Sequence, residues 1–356
     1  MFLTSISVAA VRACRWTSVA VPSAPYVTSI PWIDHYGCRY VVHGDDITSD
    51  SAGEDCYRFV KSAGRFWVVK RTPGISTTDL VGRMLLCTKS HFIPSLTQVL
   101  RGEAGPGDEE ERKARSLAMT HTLQDYASDQ SGQKTGLSIF AWDKDDQMTE
   151  FVSGNWRPRP WQRVIYIDGG FDLFSAGHIN FLREIIEQDR GHFRGLSSEQ
   201  IKADEVSLEC NGNFSFIVVG IHSDIVVNKH KGLNYPIMNL YERILCVLQC
   251  GHISSVIFDA PFSPSRNFLE ALPFGRLDAV YHGPTKFMPS EHDPYTDAKD
   301  MGIYHEIGPH GLEHINAELI MSRIVNQRGL FEARQRQKAS KAEIEQIERQ
   351  RQAQQV

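Results

Sequence analysis

The sequence predicts an α/β protein with a parallel five-stranded sheet in its second half, over residues 161–330. An incomplete duplicate of the same fold occupies the first half, over 14–90. Three observations carry this. Short Val/Ile-rich runs alternate with helical patterns in the second half, and near-continuous apolar strands belong to parallel sheets covered on both faces. Diverged landmarks of that half recur, in order, in the first. Between the halves the composition turns polar and irregular.

In chain order, residues 1–13 match neither copy. No Asp or Glu occurs before Asp34, while Arg12 and Arg15 are present, a composition that mitochondrial presequences and chance stretches share. Within 14–90 the strand candidates are 18–21, 40–43 and 66–70, with a hydroxyl-rich helix start at Ser76. Residues 91–160 read as a polar linker. Gly102 to Gly107 precede an acidic run that allows one short helix. Within 161–330 the strand candidates are 164–168, 216–222, 254–260, 277–282 and 302–307, and helical patterns fill 178–188, 239–250 and 315–329. A polar insertion spans 189–213. The tail, 331–356, is Gln, Arg, Lys, Ala and Glu, and reads as a solvated helix or frayed end.

The repeat is visible residue by residue. Ala24-Pro25-Tyr26 returns as Ala260-Pro261-Phe262, and His43-Gly44 as His282-Gly283. Ala63-Gly64 returns as Met301-Gly302, and Asp79-Leu80-Val81 as Glu318-Leu319-Ile320. All sit roughly 240 residues apart. In that register the first copy lacks roughly 70 residues that would hold its first two strands. The expectation is a chain begun late relative to a full duplicate, with an unstable first half and a self-sufficient second half.

Composition excludes several classes. The chain has 356 residues, 41% hydrophobic and 23% charged, ordinary for a globular protein. A net charge of −5 gives no global basic field for nucleic acid. No apolar run is long enough to span a membrane. Seven cysteines without paired metal-type spacing point to reduced thiols in a reducing compartment.

Three motifs carry chemistry. The first is Asp168-Gly169-Gly170-Phe171-Asp172-Leu173-Phe174-Ser175-Ala176-Gly177-His178, a strand end, a glycine turn and a helix start. Amides at such a start favour an anion, and His178 can donate to a phosphate oxygen. The second is Lys229-His230-Lys231-Gly232 followed by Asn239 to Arg243, a basic loop and a capped helix. The third is Lys70-Arg71-Thr72-Pro73-Gly74-Ile75-Ser76-Thr77-Thr78, in which three hydroxyls and an Arg exceed what a helix cap needs.

These strings resemble the cytidylyltransferases, nucleotidyltransferases of Rossmann-like fold with an HxGH motif. The tandem arrangement and the Arg-Thr-x-Gly-Ile-Ser-Thr-Thr string narrow the likeness to the ethanolamine-phosphate cytidylyltransferase family. The resemblance covers about 14–90 and 161–335. It implies a sheet order 3-2-1-4-5, and transfer of a cytidylyl group from CTP, with Mg²⁺, to phosphoethanolamine. It implies His178, Lys231 and Arg71 as catalytic residues. Phe171, Asp172, Gly177, Lys229, Arg243, Asp45, Asp46, Thr72, Gly74, Ser76, Thr77 and Thr78 are then implied to bind nucleotide or phosphate. It also implies no protein metal ligand, no nucleic acid, no stable membrane insertion, room for a homodimer, and a site in the cytoplasm or peripheral to the endoplasmic reticulum.

Two departures bear on activity. Ser175 stands where the motif has its first His, and the loop 307–317 lacks the Arg-Thr-x-Gly-Ile-Ser-Thr-Thr string. Each half keeps a different part of the site. Little or no turnover by this chain is expected, with a non-catalytic nucleotide-binding or regulatory protein as the alternative.

Overall fold

The computed structural model describes residues 2–45, 48–70, 72, 76–143, 145–192, 215–283 and 292–329. In chain order its main elements are helices α1 (Phe2–Ala13) and α2 (Ile30–His35), strand β1 (Val41–His43), α3 (Arg58–Ser62), β2 (Phe66–Val68), α4 (Thr77–Leu86), α5 (Leu96–Leu100) and α6 (Glu109–Tyr126). Then come β3 (Ser138–Trp142), β4 (Met148–Val152), β5 (Arg163–Gly169), α7 (Ala176–Asp189), β6 (Ser215–Ile221), α8 (Asp224–Lys231) and α9 (Leu240–Leu248). The last are β7 (Ser255–Phe258), α10 (Arg266–Glu270), β8 (Ala279–His282), α11 (Thr296–Asp300), β9 (Tyr304–Glu306) and α12 (Ala317–Asn326). The chain divides into two compact units, Val19–Ser76 and the remainder.

The unit Val19–Ser76 holds β1 and β2, paired in parallel with Val41 opposite Phe66 and His43 opposite Val68. Two strands of three residues cannot bury an apolar sheet face. Cys56 and Val60 are buried, but Val42 and Trp67 stay 58% and 62% exposed. Residues 18–21, expected as a strand, form none.

The larger unit holds a seven-stranded sheet in the order β4-β3-β7-β6-β5-β8-β9. The five expected strands are neighbours in the order 3-2-1-4-5, all parallel. Two further strands, β3 and β4, extend the expected five and come from the stretch read as a linker. Left alone, β7 would present an open edge of unpaired N–H and C=O groups. Strand β3 pairs with it in parallel, all five of its residues buried, and β4 closes the edge antiparallel. Residues 91–160 are therefore no linker. They also include α6, started by a capping box between Asp108 and Glu111. The apolar core on one side of the sheet packs Tyr166, Val218, Ile257 and Val280 against Phe268, Leu272 and Tyr295.

The expected boundary 14–90 also shifts. Helix α4 belongs to the first copy by register, yet it folds with the second, as does α1. Met84 of α4 packs in one cluster with Ile237 and Ala317. Arg83 of α4 donates to both carboxylate oxygens of Glu242, at 2.7 and 2.9 Å, and to the Ile237 carbonyl at 3.1 Å. After α1, Cys14 forms an antiparallel bridge with Cys250.

Candidate active site

Strand β5 ends at the point where the strand order reverses, with β6 on one side and β8 on the other. Ligands of such sheets bind in the crevice at the carboxyl ends of these strands. The chain leaves β5 through a turn in which Phe171 and Leu173 adopt left-handed backbone, φ 49° and 48°. Bulky residues resist that region by about 1–3 kcal/mol each, so other groups must hold the turn. Two residues do so. Asp172 accepts from the Ile237 and Met238 amides at 2.7 and 2.9 Å. Arg243, wholly buried, donates to the carbonyls of Gly170 (2.5 Å), His222 (2.7 Å) and Met238 (3.1 Å) and to Asp224 Oδ1 (2.8 Å).

These contacts give two of the sequence-assigned residues a structural role: Asp172 and Arg243 spend their polar atoms on backbone and on Asp224, and so hold the turn. The spacing could show their residue types but not where the side chains turn. Gly177 also has a steric reason to be glycine. A Cβ there would lie 2.4 Å from the Ile315 carbonyl oxygen, so the start of α7 can approach that loop only without a side chain.

Beside the turn lies a cavity of about 690 Å³ lined by Asp168, Phe171, His178, Lys231, His282 and His310 among others. His178 Nδ1 accepts the Ser175 amide at 3.1 Å, which leaves Nε2 to carry the ring hydrogen. Desolvation pushes this imidazole down to about 4, with Lys231 and His310 adding to it. At neutral pH His178 is therefore an uncharged N–H donor. Ser175 replaces an imidazole in the motif, and its hydroxyl donates to the Ile315 carbonyl at 2.6 Å. That hydrogen is spent inside the fold.

Lys231 ends α8, where the sequence suggested a loop. Ser223 caps the helix by accepting from the Val226 amide. Lys231 Nζ lies 3.6 Å from Glu318 Oε1, and it is the only Lys or Arg among the described lining residues. Lys229 is exposed and is not among the described lining residues. Residue 230, not 229, turns inward, and His230 stacks on Phe262 with ring centroids 3.6 Å apart.

Asp168 lines the cavity at the strand end and was not assigned a role from sequence. Tyr295 donates to its Oδ1 at 2.5 Å, while Oδ2 is buried with no hydrogen-bond partner. Burial raises its carboxyl to about 7, against the bond from Tyr295. An acid closing an apolar strand run was the available signal. His282 and His310, also missed, reach the cavity from β8 and from the loop before α12. Among the described residues no group of three His, Cys, Asp or Glu could hold a metal ion, and no helix is long and apolar enough to cross a membrane.

In the first copy, Thr77 and Thr78 open α4 and are exposed, Thr72 and Ser76 are half-buried, and Asp45 is exposed. Arg71, Gly74 and Asp46 lie outside the described residues. Arg15 and Trp16 are engaged within the fold. Arg15 is buried and donates to the Cys250 and Ile253 carbonyls at 2.9 and 3.0 Å. The Trp16 indole N–H lies within reach of Ser128 Oγ and the Asp129 carbonyl.

A parallel sheet in this order, with an N–H donor and a lysine over its switch point, defines a Rossmann-like nucleotidyltransferase. The Cytidylyltransferase-like family profile matches residues 5–83, so the match begins inside α1 and 5–13 lie within the family pattern, not outside it. The ethanolamine-phosphate cytidylyltransferase of Mus musculus is 36% identical over 337 residues, 93% of this chain and 76% of the relative. That of Dictyostelium discoideum is 35% identical over 335 residues, 93% of this chain and 79% of the relative. That of Arabidopsis thaliana is 33% identical over 304 residues, 83% and 62%. The chain belongs to the ethanolamine-phosphate cytidylyltransferase family.

Proposed function

We propose that the chain serves the reaction of CTP with phosphoethanolamine to give CDP-ethanolamine and pyrophosphate, with slow turnover of its own. The cavity beside β5 is the phosphate and aminoalcohol pocket. His178 donates its Nε2 hydrogen to a phosphate oxygen and Lys231 supplies the cation. The open Oδ2 of Asp168 receives the ammonium group, which holds the carboxyl ionised once the substrate is bound. Mg²⁺ would ride on the nucleotide phosphates and offset their charge. The phosphate oxygen of phosphoethanolamine attacks the α-phosphorus as the bond to pyrophosphate breaks. The substrates are charged and water-soluble, consistent with action in the cytoplasm.

Slow turnover rests on one observation, the Ser175 hydroxyl bonded to Ile315. Two polyanions must meet here, and each missing donor to developing charge costs about 100- to 1000-fold in rate. The test is product formation, followed by phosphorus NMR, by the full chain and by Ser175→His. The variant is expected to gain at least about tenfold. No gain, with CDP-ethanolamine still bound by both proteins, would favour the second reading that the same observation supports, a nucleotide-binding regulator without turnover. Asp168→Asn should weaken binding of phosphoethanolamine but not of inorganic phosphate. Equal weakening of both would remove Asp168 from the ammonium role.

A further inference from the structure

The contact between the ends of α1 and α9 brings two thiols together. Cys14 and Cys250 are partners in an isolated antiparallel bridge. Its hydrogen bonds flank the pair. Arg15 N–H donates to the Gln249 carbonyl and Gly251 N–H to the Ala13 carbonyl, both at 2.8 Å. This is the non-hydrogen-bonded kind of pair, in which Cα atoms lie about 4.5 Å apart and side chains approach most closely. A disulfide needs a Cα separation of about 4.4–6.8 Å. Both thiols are free, Cys14 half-buried and Cys250 buried.

We propose that Cys14 and Cys250 form a dithiol site that closes to an intrachain disulfide, with a small-molecule disulfide such as glutathione disulfide as oxidant. The Cys14 thiolate, the more accessible sulfur, attacks the oxidant. A bond forms between Cys14 and one glutathione sulfur, and the other leaves as a thiolate. The Cys250 thiolate then attacks the Cys14 sulfur and expels the second glutathione thiolate. Two protein thiols are oxidised, one glutathione disulfide is reduced to two glutathiones, and the protons released by the cysteines end on the leaving groups.

Cys250 sets the pace. Burial pushes its thiol up to about 11, with the Arg15 guanidinium pulling the other way. That guanidinium sits against the Cys250 carbonyl with Nε and Nη1 buried and without a hydrogen-bond partner, so its charge is available to the transient thiolate. Closure is therefore slow and needs a persistent oxidant. Once made, the bond ties the first-copy segment to the end of α9. It also closes a loop of most of the chain, which constrains the unfolded state strongly.

The full chain is incubated with glutathione disulfide, alkylated, digested and mapped by mass spectrometry, beside a dithiothreitol-treated control. A peptide pair joined through Cys14 and Cys250 is expected, with two fewer alkylated thiols and no glutathione retained at Cys14. Cys250→Ala should instead keep glutathione on Cys14. The thermal midpoint of the wild-type chain should rise on oxidation and fall back with dithiothreitol, and Cys14→Ala should show no such rise. A stable glutathione adduct at Cys14 of the wild-type chain would overturn the proposal. So would full alkylation of both cysteines after the oxidant, or cross-linked peptides joining either of them to another cysteine.

Discussion

Strands β1 and β8 descend from the same position of the repeat, and both end in His-Gly. Strand β8 lies between β5 and β9, and its Ala279, Val280 and Tyr281 are buried. Among the described residues strand β1 pairs only with β2, and Val42 remains mostly exposed. An apolar run earns burial from its neighbours, whatever its own composition. The neighbour also makes the site. His282 faces a cavity because β5 beside it delivers Asp168 and the turn to His178. His43 ends a strand without that neighbour, and its ring packs on Tyr57 at 4.7 Å.

The contrast can be broken most directly by hydrogen exchange. Amides of Arg163–Gly169 should exchange at least roughly 1000-fold more slowly than those of Val41–His43, since a central strand opens only with global unfolding. Equally slow exchange in Val41–His43 would show that two strands suffice. Next in size is Arg243→Met. It strips Asp224 of its buried partner and the Gly170, His222 and Met238 carbonyls of their donor, for a loss of about 3–5 kcal/mol. Urea unfolding should register it, while exchange in Val41–His43 stays unchanged. A change there would mean that the two units unfold together. Gly177→Ala forces a Cβ against the Ile315 carbonyl and should cost about 1–3 kcal/mol by the same assay. A neutral result would mean that the loop before α12 yields.

The last effect is a slope with pH. Burial holds Asp168 protonated up to about 7 in the folded chain, while the unfolded chain releases that proton near 4. Its contribution is full below the unfolded value and is lost as pH rises from about 4 to 7, at about 1.4 kcal/mol per pH unit. Asp168→Asn lacks this loss. Denaturation at several pH values should show the variant gaining on the wild type from pH 4 to 7 and levelling above. Parallel curves would show that Oδ2 is solvated.

The second-copy strands were legible because their Val/Ile runs are long and closely spaced. Strand β3 was not, because its run at 138–142 sits between polar segments, and only the open edge of β7 gives it a place. Helix α8 escaped because Asn228, Lys229 and His230 look like a loop until Ser223 caps the turn before them. At the site, Phe171, His178 and Lys231 could be read from the motif. Asp172 and Arg243 could be read as important but not as structural, since their partners at 170, 222, 224, 237 and 238 are set by the tertiary fold. Asp168 was visible as a residue but not as half-satisfied, because Tyr295 reaches it from 127 positions away.

The bridge at Cys14 and Cys250 joins a residue to its own counterpart in the repeat, the kind of contact a two-fold axis makes. In a dimer of identical chains every substitution at such an axis is made twice, so a residue that fits once but not doubled is forbidden. Here the two sides are encoded separately and have diverged. Arg15 stands on one side and Gly251 at the matching place on the other, so a single guanidinium caps the Cys250 and Ile253 carbonyls. A symmetric version would have to bury two like charges in the same small space. Covalent linkage of the copies thus gave this seam an evolutionary freedom that no self-associating chain has.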